Sequence, residues 1–242
     1  MRNTSHAVMA QRAELKNSLD DFPTPPWATR ALIEHVIVSK QSLASMTCLE
    51  PACGRGHMAV ALSGYFQKVT SSDVFDYGFG QVADFLKSKL AVDSFDWVIT
   101  NPPFRLGEHF VNRAMKVARR GVAMLTRTVF IESVGRYERV FKTNPPSRFA
   151  QFTERVPMVK GRIDKKASTA TGYAWLVWEK DRLGHSEVVW IPPCRKVLER
   201  EGDYQQSPRM RSSDQTSANV IPIREPSTND LFEGRPSLVA CR

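Results

Sequence analysis

Leu49-Glu50-Pro51-Ala52-Cys53-Gly54-Arg55-Gly56 follows a short apolar run and precedes a segment of helical period, so it reads as the turn by which a buried strand becomes a helix. Gly54 and Gly56 let the backbone come close to a ligand at such a turn, which in an open α/β sheet is where nucleotide-like ligands sit. A bare pair of glycines also suits a tight structural turn, so the reading depends on what surrounds it.

Outward from this turn, apolar β-rich runs alternate with helix-period segments from about residue 26 to residue 142, the pattern of a parallel sheet covered by helices. A doubly wound, mostly parallel α/β sheet of Rossmann-like type is expected. The first helix is predicted from Pro26, because proline suits a first turn and Ala31, Leu32, His35 and Val36 then share a face. Strands are predicted near residues 46–50, 69–73, 95–100 and 122–126. Helices are predicted near 57–66, 80–90 and 106–119, the last with Leu106, Phe110, Ala114 and Val117 on one stripe.

After Asn144-Pro145-Pro146 the period becomes strand-like near 148–156, 173–179 and 187–191, which predicts an antiparallel C-terminal edge. Alternation there sets Tyr173, Trp175 and Val177 on one face and Ala174, Leu176 and Trp178 on the other. Residues 159–172, rich in Lys, Ser, Thr and Gly, read as a mobile basic loop. One domain is expected over residues 21–200, after a flexible segment 1–20. The stretch 201–242 offers few large apolar residues to offset its ordering entropy and is expected to be disordered.

No run of eighteen apolar residues occurs, and MRNTSHAVMAQRAELK lacks the apolar core of a signal peptide, so a cytoplasmic protein with no membrane association is expected. Cys48, Cys53, Cys194 and Cys241 have no CxxC spacing, which suggests neither a metal site nor a disulfide framework. Pro193-Cys194 reads as a buried thiol and His57 as a structural histidine. The net charge of +9 is concentrated: residues 105–166 hold fifteen Lys or Arg against five Asp or Glu. A polyanionic partner is the physical reading, a solubilising face the plainer one.

Two further features lie in order behind the glycine turn. Asp73, twenty-three residues after Glu50, ends the next strand, where a carboxylate accepts the hydroxyls of a ribose. Asp84-Phe85, eleven residues on, offers an acceptor for an adenine amino group and a ring to pack on it. Phe95-Asp96-Trp97-Val98-Ile99-Thr100 then ends in Asn101-Pro102-Pro103-Phe104, a proline-stiffened loop that projects beside the ligand turn.

These features, with the upstream Phe22-Pro23-Thr24-Pro25, resemble class I amino-methyltransferases acting on DNA, over roughly residues 22–179. The resemblance implies S-adenosylmethionine as cofactor, held by Phe22, Thr24, Pro25, Glu50, Pro51, Ala52, Gly54, Gly56, Asp73, Asp84, Phe85 and Asn101. Ala83, where a glycine often precedes the aspartate, is a departure. Asn101, Pro102, Pro103 and Phe104 are implied as the catalytic loop. The Asn101 side-chain oxygen and the Pro102 carbonyl would draw an amino nitrogen toward tetrahedral geometry, while Phe104 stacks on a flipped base.

Within the resemblance, phenylalanine at position 104 implies the adenine N6 amino group rather than cytosine N4, and the motif order is like the gamma arrangement, without its large recognition domain. Tyr173 resembles an aromatic residue that lines the base pocket, and the basic loop becomes a candidate DNA contact. RNA adenine and a protein glutamine present a similar NH2. A catalytically idle nucleic-acid-binding module is the alternative of a different kind. No metal is expected, and no oligomeric state is assigned.

Overall fold

The computed structural model describes residues 20–37, 40–182 and 185–205. The expectations for residues 1–19 and 206–242 lie outside the described residues. The first helix, α1 (Pro26–His35), is followed after a 3-10 turn by β1 (Thr47–Glu50), α2 (His57–Leu62), β2 (Lys68–Asp73), β3 (Gln81–Val82) and β4 (Phe95–Thr100). Then come α3 (Gly107–Val117), β5 (Ala118–Arg127), α4 (Val134–Arg136) running into a π-helical turn (Tyr137–Phe141), β6 (Arg148–Phe152), β7 (Tyr173–Glu179), β8 (Glu187–Ile191) and α5 (Arg195–Leu198).

The eight strands form one sheet in the order β3-β2-β1-β4-β5-β7-β6-β8. The five strands from β3 to β5 are parallel to one another. β7 is antiparallel to both β5 and β6, while β8 runs parallel to β6. The expected antiparallel edge is therefore an inserted antiparallel strand, with a parallel pair outside it.

Side-chain alternation divides the core into two layers. Cys48, Trp97, Ile99, Leu125, Tyr173, Trp175 and Val177 pack with α1 and α2 on one face. Leu49, Val98, Val122, Met124, Leu176 and Trp178 pack with α3 on the other. β4 is buried along its whole length, as a central strand covered on both sides must be. α1 is tied to the sheet by Trp175, whose indole N–H donates to the Ala28 carbonyl at 3.1 Å.

Four expectations need correction. Residues 80–90 do not form a helix: Gly78 and Gly80 take φ of 79° and 72°, and Gln81–Val82 add a short strand beside Ser72 and Asp73. A Cβ at Gly80 would stand 2.8 Å from the Ser71 carbonyl oxygen, so the chain lies flat on β2 there, and sheet pairing outweighs the local helical pattern. His35 is exposed rather than on the buried face of α1, and Leu106 is 40 % exposed, just ahead of α3. Finally, order continues beyond residue 200. Asp203 is buried and accepts both arms of the Arg30 guanidinium at 2.7 Å, anchoring the turn after α5 to α1. The low hydrophobicity of 201–205 concealed this because the anchor is ionic and its partner lies 173 residues away.

Candidate active site

β1 and β4 are neighbours, but the chain leaves β1 toward β2 on one side and reaches β4 on the other. The carboxyl ends of the strands open a crevice at such a switch point. A cleft of about 980 Å³, counting the part open to solvent, lies there. Phe22, Thr24, Glu50, Pro51, Ala52, Gly54, Asp73, Asp84, Phe85, Asn101 and Pro103 all line it. These residues come from five separate stretches of chain, so the fold assembles in one place what the sequence offers piecemeal.

Glu50 ends β1 and is only 2 % exposed. Burial, and then the Asp73 carboxylate nearby, push its carboxyl well above the usual range, with a bond from the Ala59 backbone opposing. One of its oxygens is buried with no hydrogen-bond partner. Burying such a group unpaired costs free energy, so a donor arriving in the cleft would relieve it.

Asp73 organises the neighbouring loop. Its oxygens accept from the Gly54 N–H at 2.9 Å and the Phe75 N–H at 3.0 Å. Each carboxylate oxygen retains acceptor capacity toward the cleft. Burial raises its pKa more than these backbone bonds lower it. The glycines differ in role. Gly54, at φ 50°, faces open space, so a ligand can approach its backbone. Gly56, at φ 82°, is instead covered by the Phe79 ring, 2.5 Å from where a Cβ would stand, and does not line the cleft.

Asp84 sits in a turn rather than in a helix. Its carboxylate accepts the Leu86 N–H at 3.0 Å and pairs with Lys87 at 3.1 Å. Burial works to raise its pKa, but these partners hold it below the usual carboxylate range. Phe85 is anchored in the α3-side core, its ring centroid 5.2 Å from that of Phe110, and lines the cleft while only 3 % exposed.

The Asn101–Phe104 loop is held by a strap ahead of α1. The Asn101 amide donates to the Phe22 carbonyl at 3.0 Å, and the Phe104 N–H donates to Asp20 at 2.9 Å. Phe22 and Phe104 pack as tilted rings at 5.2 Å. Asn101 Oδ1 is buried and has no partner. Thr24 is buried with its hydroxyl unpartnered too, while Pro25 caps the start of α1 away from the cleft.

Several lining residues were not singled out from sequence. Asp20 and Asp21 fall in a polar N-terminal stretch with no local signal. Their partners, Phe104 and Arg55 (2.6 Å from Asp21), are distant in sequence. Arg55 also lies 5.1 Å from the Tyr77 ring centroid. His57, read as structural, lines the cleft; burial and then Arg55 lower its pKa to about 4, so it is neutral near pH 7.

Pro102 and Phe104 face a second cavity, on the other side of the loop, with Gly107, Arg127, Phe130 and Arg136 in its wall. Tyr173 lines neither cavity. It is 4 % exposed, in the α1-side core, and burial raises its pKa with Arg127 beside it opposing.

Cys194 is buried, its thiol pushed up to about 11 by burial and then by Glu154. Cys48, Cys53 and Cys194 are free thiols. Among the described residues no group of His, Cys, Asp or Glu is arranged to hold a metal ion, and no helix is long and apolar enough to cross a membrane.

No family model matches the chain, and no curated protein matches it in sequence. Solved structures do resemble it. One is the methyltransferase subunit of a type I restriction-modification system from Streptococcus thermophilus, with a TM-score of 0.55 at 11% identity over 81% of this chain and 52% of that one. Another is a protein from Vibrio vulnificus YJ016 provisionally described as a type I restriction enzyme modification subunit, with a TM-score of 0.51 at 15% identity over 84% and 54%. A third, from Pyrococcus horikoshii and provisionally described as an RNA methyltransferase, has a TM-score of 0.50 at 16% identity over 72% and 95%. The chain spans about half the length of the two restriction-system subunits. At such identities the likeness establishes architecture alone, the doubly wound α/β sheet that this chain shares with these structures.

Proposed function

We propose that this protein is an S-adenosylmethionine-dependent methyltransferase that methylates the N6 amino group of adenine flipped out of DNA. The observation that carries the reading is Asn101. Its amide nitrogen is committed to the Phe22 carbonyl, while Oδ1 is buried without a donor. Turning the amide over would set Oδ1 against that carbonyl, acceptor against acceptor, so the orientation is dictated by its surroundings. An unpaired buried acceptor costs about 1–3 kcal/mol. An amino group arriving at the loop supplies what it lacks.

The lone pair of an aromatic amine is delocalised into its ring, so the nitrogen needs reshaping more than deprotonation. Asn101 Oδ1 and the Pro102 carbonyl would accept its two N–H bonds and favour a tetrahedral nitrogen. Pro102 and Pro103 keep those acceptors from drifting, which matters for a displacement that tolerates little misalignment. S-adenosylmethionine, when bound, supplies an electrophilic methyl group. Glu50 and Asp73 would hold its amino and hydroxyl groups, the Gly54 backbone would run beside it, and Asp84, Phe85, Phe22 and Thr24 would complete the wall.

An adenine inside a duplex cannot reach this crevice, so the base must leave the stack. Phe104, half-buried in the wall of the second cavity, supports the assignment of a stacking surface. Incubation with tritiated cofactor and parallel DNA, RNA and glutamine-peptide acceptors tests the reading. Labelled N6-methyl-2′-deoxyadenosine is expected after digestion of the DNA. Label at cytosine, in RNA alone or in peptide alone would overturn the acceptor, and binding without label would leave an idle module. Asn101→Ala should lower kcat by about a hundredfold or more while leaving S-adenosylhomocysteine affinity within about threefold. Equal losses in both would remove Asn101 from the chemistry.

A further inference from the structure

Arg127 ends β5 and lines the second cavity. Its guanidinium carbon lies 3.8 Å from the centroid of the Phe104 ring, a close cation–π contact. In the β5–β7 register it stands opposite Tyr173, and its side chain donates a hydrogen bond to the Tyr173 hydroxyl as well as acting on it by charge. Arg127 thus lies against Phe104, the residue proposed to stack on the acceptor base, and against Tyr173, which lines neither cavity. Its Nε is buried and has no hydrogen-bond partner, and no carboxylate lines the cavity. The other cation there, Arg136, donates to the Phe130 carbonyl at 2.8 Å and lies over the Phe130 ring. A guanidinium held by a ring face and a neutral tyrosine hydroxyl, with its Nε–H unpaired, is held less firmly than one paired to a carboxylate.

We propose that Arg127 is the specificity-determining residue for the acceptor: its guanidinium covers the stacking face of Phe104, and an acceptor displaces it efficiently only when a phosphate accompanies the base. The proposal rests on the reading of the Asn101–Phe104 loop given above. A base that stacks on Phe104 must first turn the guanidinium out, and loses the cation–π contact. A nucleotide returns that loss, because its phosphate oxygens match the planar fork of arginine with two charge-assisted bonds. A free nucleoside or a glutamine amide offers nothing comparable. The slot therefore selects nucleic acid over neutral amide-bearing or base-bearing molecules, through one residue that touches neither the cofactor cleft nor the Asn101 amide.

The test compares two fluorescent probes, 2-aminopurine 2′-deoxyriboside and a short single-stranded DNA with 2-aminopurine in place of one adenine. Both are titrated into the full chain, Arg127→Ala and Arg127→Lys, with excess S-adenosylhomocysteine to keep the nucleoside out of the cofactor cleft. Arg127→Ala is expected to bind the nucleoside about tenfold more tightly and the oligonucleotide more weakly. Arg127→Lys, which keeps the charge and gives up the flat stack, is expected to tighten the nucleoside while holding the oligonucleotide near the wild-type affinity. If the two probes move together, or neither moves in either variant, the proposal fails. Calorimetry of S-adenosylhomocysteine with the unaltered chain reads the methyltransferase proposal separately: a flat titration there sinks that reading, while the two probes still decide the role of Arg127.

Discussion

Glu50 stands at the end of a strand where burial disfavours its charge, and the Asp73 carboxylate adds to the penalty. Its folded-state pKa lies above the value of an exposed glutamate, so the folded protein holds a proton that the unfolded chain gives up sooner. Stability attached to this group is then present below the unfolded pKa, about 4.3, and is lost as pH rises toward the folded value. Glu50→Gln, which keeps shape and removes the charge, should therefore raise the melting temperature at pH 8, with the gain over the parent vanishing as pH falls to about 4. The same variant should bind S-adenosylhomocysteine more weakly, because the carboxylate proposed to meet its amino group is gone. A gain in stability that is the same at pH 8 and pH 4 would contradict this account of Glu50. Residues of this kind were legible in the sequence as types at strand ends. Their protonation was not, since it depends on neighbours such as Asp73 that only the fold brings close.

Between β1 and α2 the two glycines of the turn bear different loads, and substitution separates them. Gly54→Ala puts a methyl group into open space at φ 50°, so it should cost only about 1 kcal/mol of stability while obstructing cofactor. Gly56→Ala meets the Phe79 ring at 2.5 Å and keeps φ at 82°, so it should destabilise by more, about 2–3 kcal/mol, unless Phe79 swings aside. Urea unfolding of both variants, set beside S-adenosylhomocysteine calorimetry, checks the pair; the reverse order of stability loss would mean that the loop is supported differently. The strand–turn–helix itself was readable because β1 and β4 are apolar runs with local punctuation, and the same holds for the alternating β7. Residues 80–90 misled because their fate depends on pairing with Ser72 and Asp73 across the sheet. The strap at Asp20–Phe22 was invisible for a similar reason: its partner Phe104 lies 84 residues from Asp20.

Across the whole molecule, the positive charge that the sequence gathers between residues 105 and 166 is partly spent on the protein itself. Arg119 and Arg120 flank Asp96, Arg139 pairs with Glu108, Lys142 with Glu138, Arg148 with Glu179, Arg162 with Asp164 and Lys165 with Glu199. Arg113 is bound to the carbonyls of Ser88 and Leu90. The composition therefore overstates what a duplex would meet. An exposed pair is weak and can open toward a phosphate, but each one that opens releases a carboxylate that repels the same backbone. Arg148 cannot open at all without baring a buried charge, since its side chain is 4 % exposed. If DNA is the acceptor, about five phosphate contacts are expected, giving a slope of about −4 to −5 for log K against log salt. A slope near −13, the value if all fifteen cations were used, would mean that the internal pairs break on binding. A slope near zero would remove the polyanion from the reading altogether. Arg127→Ala belongs to the same titration: as a cation beside the second cavity that is paired with no carboxylate there, its loss should flatten the slope by about one. A change in affinity with no change in slope would mean that Arg127 acts on the base alone.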